Sequence, residues 1–387
     1  MKKVVLKKTA EKKIKQLNQW FYRNEIKKCP LDIQKGEIVQ VFTSSGQFVG
    51  TGYFNPLSKI SLRMLSFKKE KDISSLIKRR IEEAFHRRKK LLKNTTAFRA
   101  VHSEGDLLPG LIVDYYDGYL SVQVNTAGME NLRDTVIDTL IEQINPKGIY
   151  DRSDQKVRTI EGLETHNRLI YGEVPDSIVI NENSIHFTVF LKEGQKTGFY
   201  LDQRKNRQIV SQYVEKGFRV LDLFSNAGGF GIYCYKRGAD YVKFVDVSSS
   251  AVKQLKENCK LNSIENFDIV QEDAFDFLKK ETQRYNIIII DPPSFAKTKH
   301  EREGALRGFK YLLLKGLKLL EKDGYIAVFS CSFHITMEDI INVSLSAAQD
   351  TGDILEIVEF MYQDLDHPVV LNMPNTLYLK GILMRKL

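Results

Sequence analysis

Cysteine is scarce. Four cysteines occur among 387 residues, Cys29, Cys234, Cys259 and Cys331, and no two form a C-x-x-C pair. Neither a zinc site nor a disulfide framework is expected from such spacing. Each is read as a small core residue or a lone reactive thiol. Long apolar runs are also missing. No stretch of about 18 apolar residues exists, so no membrane-spanning helix is expected. The opening Met1-Lys2-Lys3-Val4-Val5-Leu6-Lys7-Lys8 is charged too early for a signal peptide, whose apolar part runs about 7–15 residues. A cytoplasmic protein without a metal site is expected. Internal repeats and low-complexity segments are absent too.

Positive charge is abundant and unevenly placed. The net charge is +9. Residues 1–93 hold 24 Lys+Arg against 8 Asp+Glu, a balance of +16. The remainder holds 34 against 41, a balance of −7. One reading is a solubilising lysine-rich surface. The other is a nucleic-acid footprint, since clustered cations displace counterions from phosphates.

The chain reads as three modules. Ile14, Leu17 and Phe21 recur at helical spacing among lysines, predicting an amphipathic helix near the start. Glu37–Phe42, Phe48–Phe54 and Lys59–Leu65 read as strands. Residues 73–93 read as a basic helix. In the middle module, Ala97–His102, Leu111–Tyr115 and Tyr119–Asn125 read as strands and Met129–Ile144 as a helix. From about residue 184 strands and helices alternate. Strands are predicted at Val220–Phe224, Tyr241–Asp246, Phe267–Gln271, Ile287–Asp291 and Tyr325–Cys331, with helices at 229–237, 249–261, 274–281, 303–321 and 336–350. Such repetition predicts a doubly wound parallel sheet. Ile354–Tyr362 and Leu377–Met384 then predict an antiparallel hairpin at one edge.

The first of these strands breaks into Phe224-Ser225-Asn226-Ala227-Gly228-Gly229-Phe230-Gly231. Ligands of open α/β sheets sit beyond the carboxyl ends of strands, and small residues there admit close approach. Alone, the turn is equally a tight strand-to-helix connection. Asp246 ends the second strand, about 20 residues on, where a carboxylate binds ribose hydroxyls. Asp273 follows the third strand and can accept from an adenine amino group. Each acid by itself is also a good helix N-cap. Together they point to an adenosine-bearing cofactor. NAD is the rival, but its G-x-G-x-x-G fingerprint is absent, and the loop favours S-adenosylmethionine. Asp222, Phe224, Ser225, Asn226, Ala227, Gly228, Asp246, Val247, Asp273, Ala274 and Asp291 form its expected pocket.

Asp291-Pro292-Pro293-Ser294-Phe295 follows the fourth strand. Two prolines make a rigid turn that directs Asp291 and backbone carbonyls at a base. In enzymes that methylate exocyclic amines an aromatic residue directly follows the prolines; here Ser294 intervenes. Cys331 lies at the end of the fifth strand, in Ser330-Cys331-Ser332. A strand cysteine is ordinarily a core residue. At this edge it can instead be a nucleophile. Carbon 5 of cytosine reacts poorly until a thiolate adds at carbon 6. Cys331 and Asp291, the latter handling N3, suit that chemistry. An ordinary thiol, pKa about 8.5, is only about 3% thiolate at pH 7, so a nearby cation is needed. Lys297, Lys299 and Arg307 are the candidates.

Asp291-Pro292-Pro293-Ser294-Phe295, Ser330-Cys331-Ser332, Asp366-His367-Pro368 and Tyr378-Leu379-Lys380-Gly381 resemble the bacterial RlmI-type large-subunit rRNA cytosine-5 methyltransferases. So does Gly194-Gln195-Lys196-Thr197-Gly198-Phe199-Tyr200-Leu201-Asp202-Gln203-Arg204. The resemblance covers the whole chain. It implies a small β-barrel PUA domain that binds RNA at 1–73, an α+β central domain at 74–183, and a class I (Rossmann-like) methyltransferase sheet at 184–387. It further implies cofactor contacts from Thr197, Phe199, Gln203 and Arg204, and Cys331 as the nucleophile. Ser225-Asn226-Ala227 departs from the family, which has a bulkier residue and Thr there. The cysteine that other cytosine-5 enzymes carry after the fourth strand is replaced by Ser294. The base for the carbon 5 proton stays open among Asp291, His334 and water.

The expected partner is 23S rRNA or a large-subunit assembly intermediate, with a homodimer as a further expectation. Two other readings remain: methylation of another atom such as guanine N7, and a non-catalytic RNA-binding assembly factor.

Overall fold

The computed structural model describes residues 1–192 and 198–387. The chain divides into two compact units. The first comprises residues 1–180, 189–198 and 365–376; the second comprises 181–188, 199–364 and 377–387.

The first unit holds two sheets. Strands β1 (Lys2–Leu6), β2 (Trp20–Phe21), β3 (Ile26–Lys28), β4 (Glu37–Phe42), β5 (Phe48–Phe54) and β6 (Leu62–Ser66) form one, in the order β2-β6-β5-β4-β1-β3. The predicted N-terminal helix is a correction. Only α1 (Glu11–Lys15) is helical there, Leu17 adopts a left-handed φ of 52° and is exposed, and Phe21 lies buried on β2. Non-local pairing of β1 with β3 and β4 overrides the local period. The basic helix is α2 (Ile73–Leu91). Asp72 caps it by accepting from the Ser75 amide at 3.1 Å. Ile73, Leu76, Ile77, Ile81, Ala84 and Phe85 make its buried face, and Arg88, Lys89 and Lys90 fill its last turn, where the helix dipole favours cations.

The second sheet is built from β7 (Ala97–His102), β8 (Leu111–Tyr116), β9 (Tyr119–Val124), β10 (Gly148–Asp151) and β11 (Arg168–Gly172). Helices α3 (Ala127–Glu130), α4 (Arg133–Ile144) and α5 (Val157–Ile160) punctuate it. Both sheets share packing. Tyr53 of β5 is buried and donates to Pro109 O at 2.8 Å. Its ring lies so close to Gly128 that a Cβ there would come within 2.0 Å of it. Arg63 pairs with buried Glu161 at 2.9 Å. Buried Arg88 holds Asp106 through bonds of 2.7 and 2.6 Å and donates to Asp366 O at 2.9 Å.

A short pair of strands, β12 (Ile178–Glu182) and β13 (Ile185–Val189), precedes the second unit's large sheet. That sheet contains β14 (Arg219–Leu223), β15 (Tyr241–Val245), β16 (Phe267–Val270), β17 (Tyr285–Ile290), β18 (Leu320–Ser330), β19 (Leu355–Tyr362) and β20 (Lys380–Lys386). Its order is β16-β15-β14-β17-β18-β20-β19. The first five strands are parallel, and β20 runs antiparallel to both neighbours. The helices are α6 (Arg204–Ser211), α7 (Gly229–Lys236), α8 (Ser249–Leu261), α9 (Ala274–Lys280), α10 (Arg302–Leu319) and α11 (Met337–Thr351). The runs Val220-Leu221 and Ile287-Ile288-Ile289-Ile290 are wholly buried, as parallel strands covered on both faces must be. The predicted edge hairpin needs correction in one respect. β20 is threaded between β18 and β19, and the chain joining β19 to β20 contains residues 365–376 of the first unit.

Candidate active site

Sheet order puts the site between β14 and β17, where the chain leaves adjacent strands in opposite directions. The loop after β14 is conformationally demanding. Phe224 and Asn226 adopt left-handed φ values of 59° and 48° without being glycine, and Gly228 follows at 80°. A Cβ on Gly228 would lie 2.2 Å from Leu255 Cδ1. Polar contacts hold the loop in this shape. The Ser225 amide donates to Val245 O at 3.0 Å, and Asn258 donates to Ala227 O at 2.9 Å.

Acids gather at the strand ends. Asp246 accepts from the Asn226 amide and the Ser248 amide, both at 2.8 Å. It is half-buried, and a carboxylate has further lone pairs for ribose hydroxyls. Val247 beside it is exposed. Asp273 is exposed and caps α9, accepting from the Phe275 amide at 2.8 Å, while Ala274 is buried. Asp222 is buried inside β14 and accepts from the Gly231 amide at 2.9 Å. It braces the start of α7 from beneath the loop. Burial, with Asp291 and Asp246 nearby, pushes its carboxyl up to about 8. The acids Asp246 and Asp291, close enough to Asp222 to raise its carboxyl, suit a cationic ligand. The residues therefore fit an adenosine-bearing sulfonium cofactor.

Residues upstream of β14 brace this pocket. Gln203 donates to Asp291 Oδ2 at 3.0 Å and accepts from Asn206 at 2.6 Å. Buried Arg204 bonds Asp364 at 2.7 Å. Phe199 packs on Phe187 with ring centres 4.9 Å apart, and the Arg207 guanidinium lies 4.8 Å over the Phe199 ring. Thr197 lies outside the described residues.

The loops after β17 and β18 carry the predicted chemistry. Ile290 pairs in register with Val328, so both strands open at the same sheet edge. Ser294 and Ser332 hydroxyls lie 2.9 Å apart, and the Ala296 amide donates to Ser332 at 3.3 Å. Cys331 is half-buried, unlike buried Cys234 and Cys259. Burial pushes the Cys234 thiol far up and the Cys259 thiol up to about 12, so neither serves as a thiolate. Phe333, after Ser332, is exposed, with the His334 ring 5.4 Å from its own.

Lys297, Lys299 and Arg307 are exposed. The buried cation at this loop is Lys380, whose Nζ donates to Ser332 O at 2.9 Å. It lies 49 positions from Cys331 in the sequence, in a motif noted only for its resemblance. Among the described residues no helix is long and apolar enough to cross a membrane, and no group of three or more His, Cys, Asp or Glu could hold a metal ion.

Comparison with known proteins agrees with this architecture. A PUA-like domain family matches residues 4–67, and the family described as conserved hypothetical protein 95 matches 205–355. A ribosomal RNA large subunit methyltransferase I from Tolumonas auensis is 38% identical, covering 99% of this chain and 98% of that protein. The protein of the same name from Aeromonas salmonicida is 34% identical, with 99% and 98% covered. In fold, a methyltransferase-like protein crystallised with SAH superposes over 100% of both chains, with a TM-score of 0.86 and 24% identity. A second such structure, from Streptococcus mutans, gives a TM-score of 0.85 at 24% identity over 100% of both chains.

Proposed function

Because the chain belongs to the ribosomal RNA large subunit methyltransferase I family, we propose that it uses S-adenosylmethionine to methylate carbon 5 of a cytosine in large-subunit ribosomal RNA. In this reading residues 1–73 are the PUA-like RNA-binding domain, 74–183 the central α+β domain, and 184–387 the methyltransferase domain. The RNA is 23S rRNA, free or in an assembling subunit.

The cofactor supplies an electrophilic methyl group. Asp246 would hold the ribose hydroxyls and Asp273 the adenine amino group. Val247 and Ala274 would lie beside them, and the Phe224–Gly228 loop would hold the methionyl portion. The Cys331 thiolate adds to C6 of the cytosine, turning the C5–C6 double bond into a nucleophilic enamine, while Asp291 holds N3. After C5 is alkylated its proton leaves to a base, and the C6–sulfur bond breaks to restore the ring and free Cys331.

The observation that carries this reading is the 2.9 Å contact between Ser294 and Ser332, which couples the Asp291 loop to the Cys331 loop. The test is Cys331→Ala. Methyl transfer to rRNA should be abolished while calorimetry still detects S-adenosylmethionine binding. Normal transfer by the variant would remove the covalent route and turn the assignment toward guanine N7. Loss of cofactor binding in the unaltered protein would leave only an RNA-binding factor.

A further inference from the structure

Lys380 is 7% exposed and sits inside the sheet. On β20 it pairs with Ser330 of β18 on one side and Tyr362 of β19 on the other. Strands flank its backbone on both sides, and its Nζ reaches the turn Ser330-Cys331-Ser332, donating to Ser332 O at 2.9 Å. No described carboxylate comes within 4.0 Å of that nitrogen, and the oxygen it bonds is a neutral carbonyl. A buried ammonium without an anion is costly, and proteins seldom keep one without use.

The charged and titratable groups around the turn narrow the choice of counterion. Asp339 at the start of α11 is taken by Arg302 of α10. Asp291 beyond β17 accepts from Gln203. His334 pairs with Phe333. That leaves the sulfur of Cys331, one residue from each backbone contact Lys380 makes on β18 and its loop. Burial holds the Lys380 ammonium below the ordinary lysine range, and the Cys331 charge acts most strongly against that shift, followed by Asp339.

We propose that Lys380 is the positioning residue that keeps Cys331 as a thiolate, with β20 inserted into the sheet to bring a cation to the nucleophile. The Cys331 thiol gives its proton to solvent, and the resulting anion is held beside the ammonium. This rests on the reading of Cys331 as nucleophile, yet it concerns only the ionisation of the thiol and is testable apart from turnover.

The experiment measures alkylation of the folded protein by iodoacetamide across pH 5–10, with Cys331 and Cys29 peptides quantified separately by mass spectrometry. In the unaltered protein the Cys331 midpoint should fall below that of Cys29. Lys380→Met should move it up, slowing Cys331 alkylation at pH 7 about tenfold, the change a one-unit rise gives. Lys380→Gln keeps a donor for Ser332 O but no charge. It should behave as Lys380→Met does; a profile like that of the unaltered protein would assign Lys380 a tethering role and overturn the proposal. A Cys331 midpoint at or above that of Cys29 in the unaltered protein would overturn it without any variant. Failure of the underlying reading looks different: Cys331→Ala would retain methyl transfer whatever the alkylation profiles are.

Discussion

The side-chain oxygens of Ser294 and Ser332 lie 2.9 Å apart, one on the loop after β17 and the other on the loop after β18. Ser332 is buried, so the contact is sheltered from water. Ser332→Ala should cost about 1 kcal/mol of stability, the ordinary net worth of one hydrogen bond. Its effect on methyl transfer should be larger, about tenfold or more, because small misplacements of reacting groups are amplified in rate. Chemical denaturation and methyl incorporation measured on the same preparation separate the two. Equal rates in variant and unaltered protein would show that the loops position their side chains independently.

Asp222 gives a stability that depends on pH. Its folded carboxyl titrates near 8 against an ordinary 3.8. Below pH 4 it is protonated in both states and costs nothing. As pH rises toward 8 the unfolded chain releases a proton that the folded chain retains, so stability is lost; above 8 the loss is constant. Asp222→Asn removes this dependence and still accepts the Gly231 amide. The variant should match the unaltered protein near pH 4 and exceed it by a few kcal/mol at pH 9. Urea denaturation at several pH values measures the difference; a constant difference would show that Asp222 is ionised throughout.

In the first unit, Asp106 should dominate local stability. Its side chain is 2% exposed and engages both Arg88 and Arg87. Asp106→Ala strands the Arg88 guanidinium, itself 1% exposed, and should cost about 3–5 kcal/mol in denaturant titrations. A loss below 1 kcal/mol would mean that the backbone carbonyls of Ala84, Arg99 and Asp366 suffice for Arg88.

The positive excess of residues 1–93 predicts RNA affinity that falls steeply with salt. Deleting residues 1–73 would test this poorly, since Tyr53 and Arg63 pack into the second sheet's core and polar network. Charge reversal on the exposed face of α2 is cleaner. Lys78→Glu, Lys89→Glu and Lys90→Glu combined should weaken rRNA binding and flatten its salt dependence while cofactor binding is unchanged. Unaltered RNA affinity would assign those lysines to solubility alone.

Much of the second unit was readable beforehand. The parallel strands are buried on both faces, so they appear as unbroken apolar runs such as Ile287-Ile288-Ile289-Ile290, and the acids at their ends stand at fixed intervals along the chain. The first thirty residues misled for the opposite reason. Ile14, Leu17 and Phe21 carry a helical spacing, but β1 finds its partners in β3 and β4.

The residues alone determined the alternating sheet, the glycine-bearing turn after β14, the acids Asp246 and Asp273, and the candidacy of Asp291 and Cys331. Tertiary structure decided which cation reaches the turn that carries that cysteine. Lys297, Lys299 and Arg307 were nearer along the chain, but their side chains lie in solvent, whereas β20 enters the sheet between β18 and β19 and carries Lys380 to the turn. Strand insertion depends on hydrogen bonds between distant segments, and local periodicity holds no record of which distant strand will pair with which.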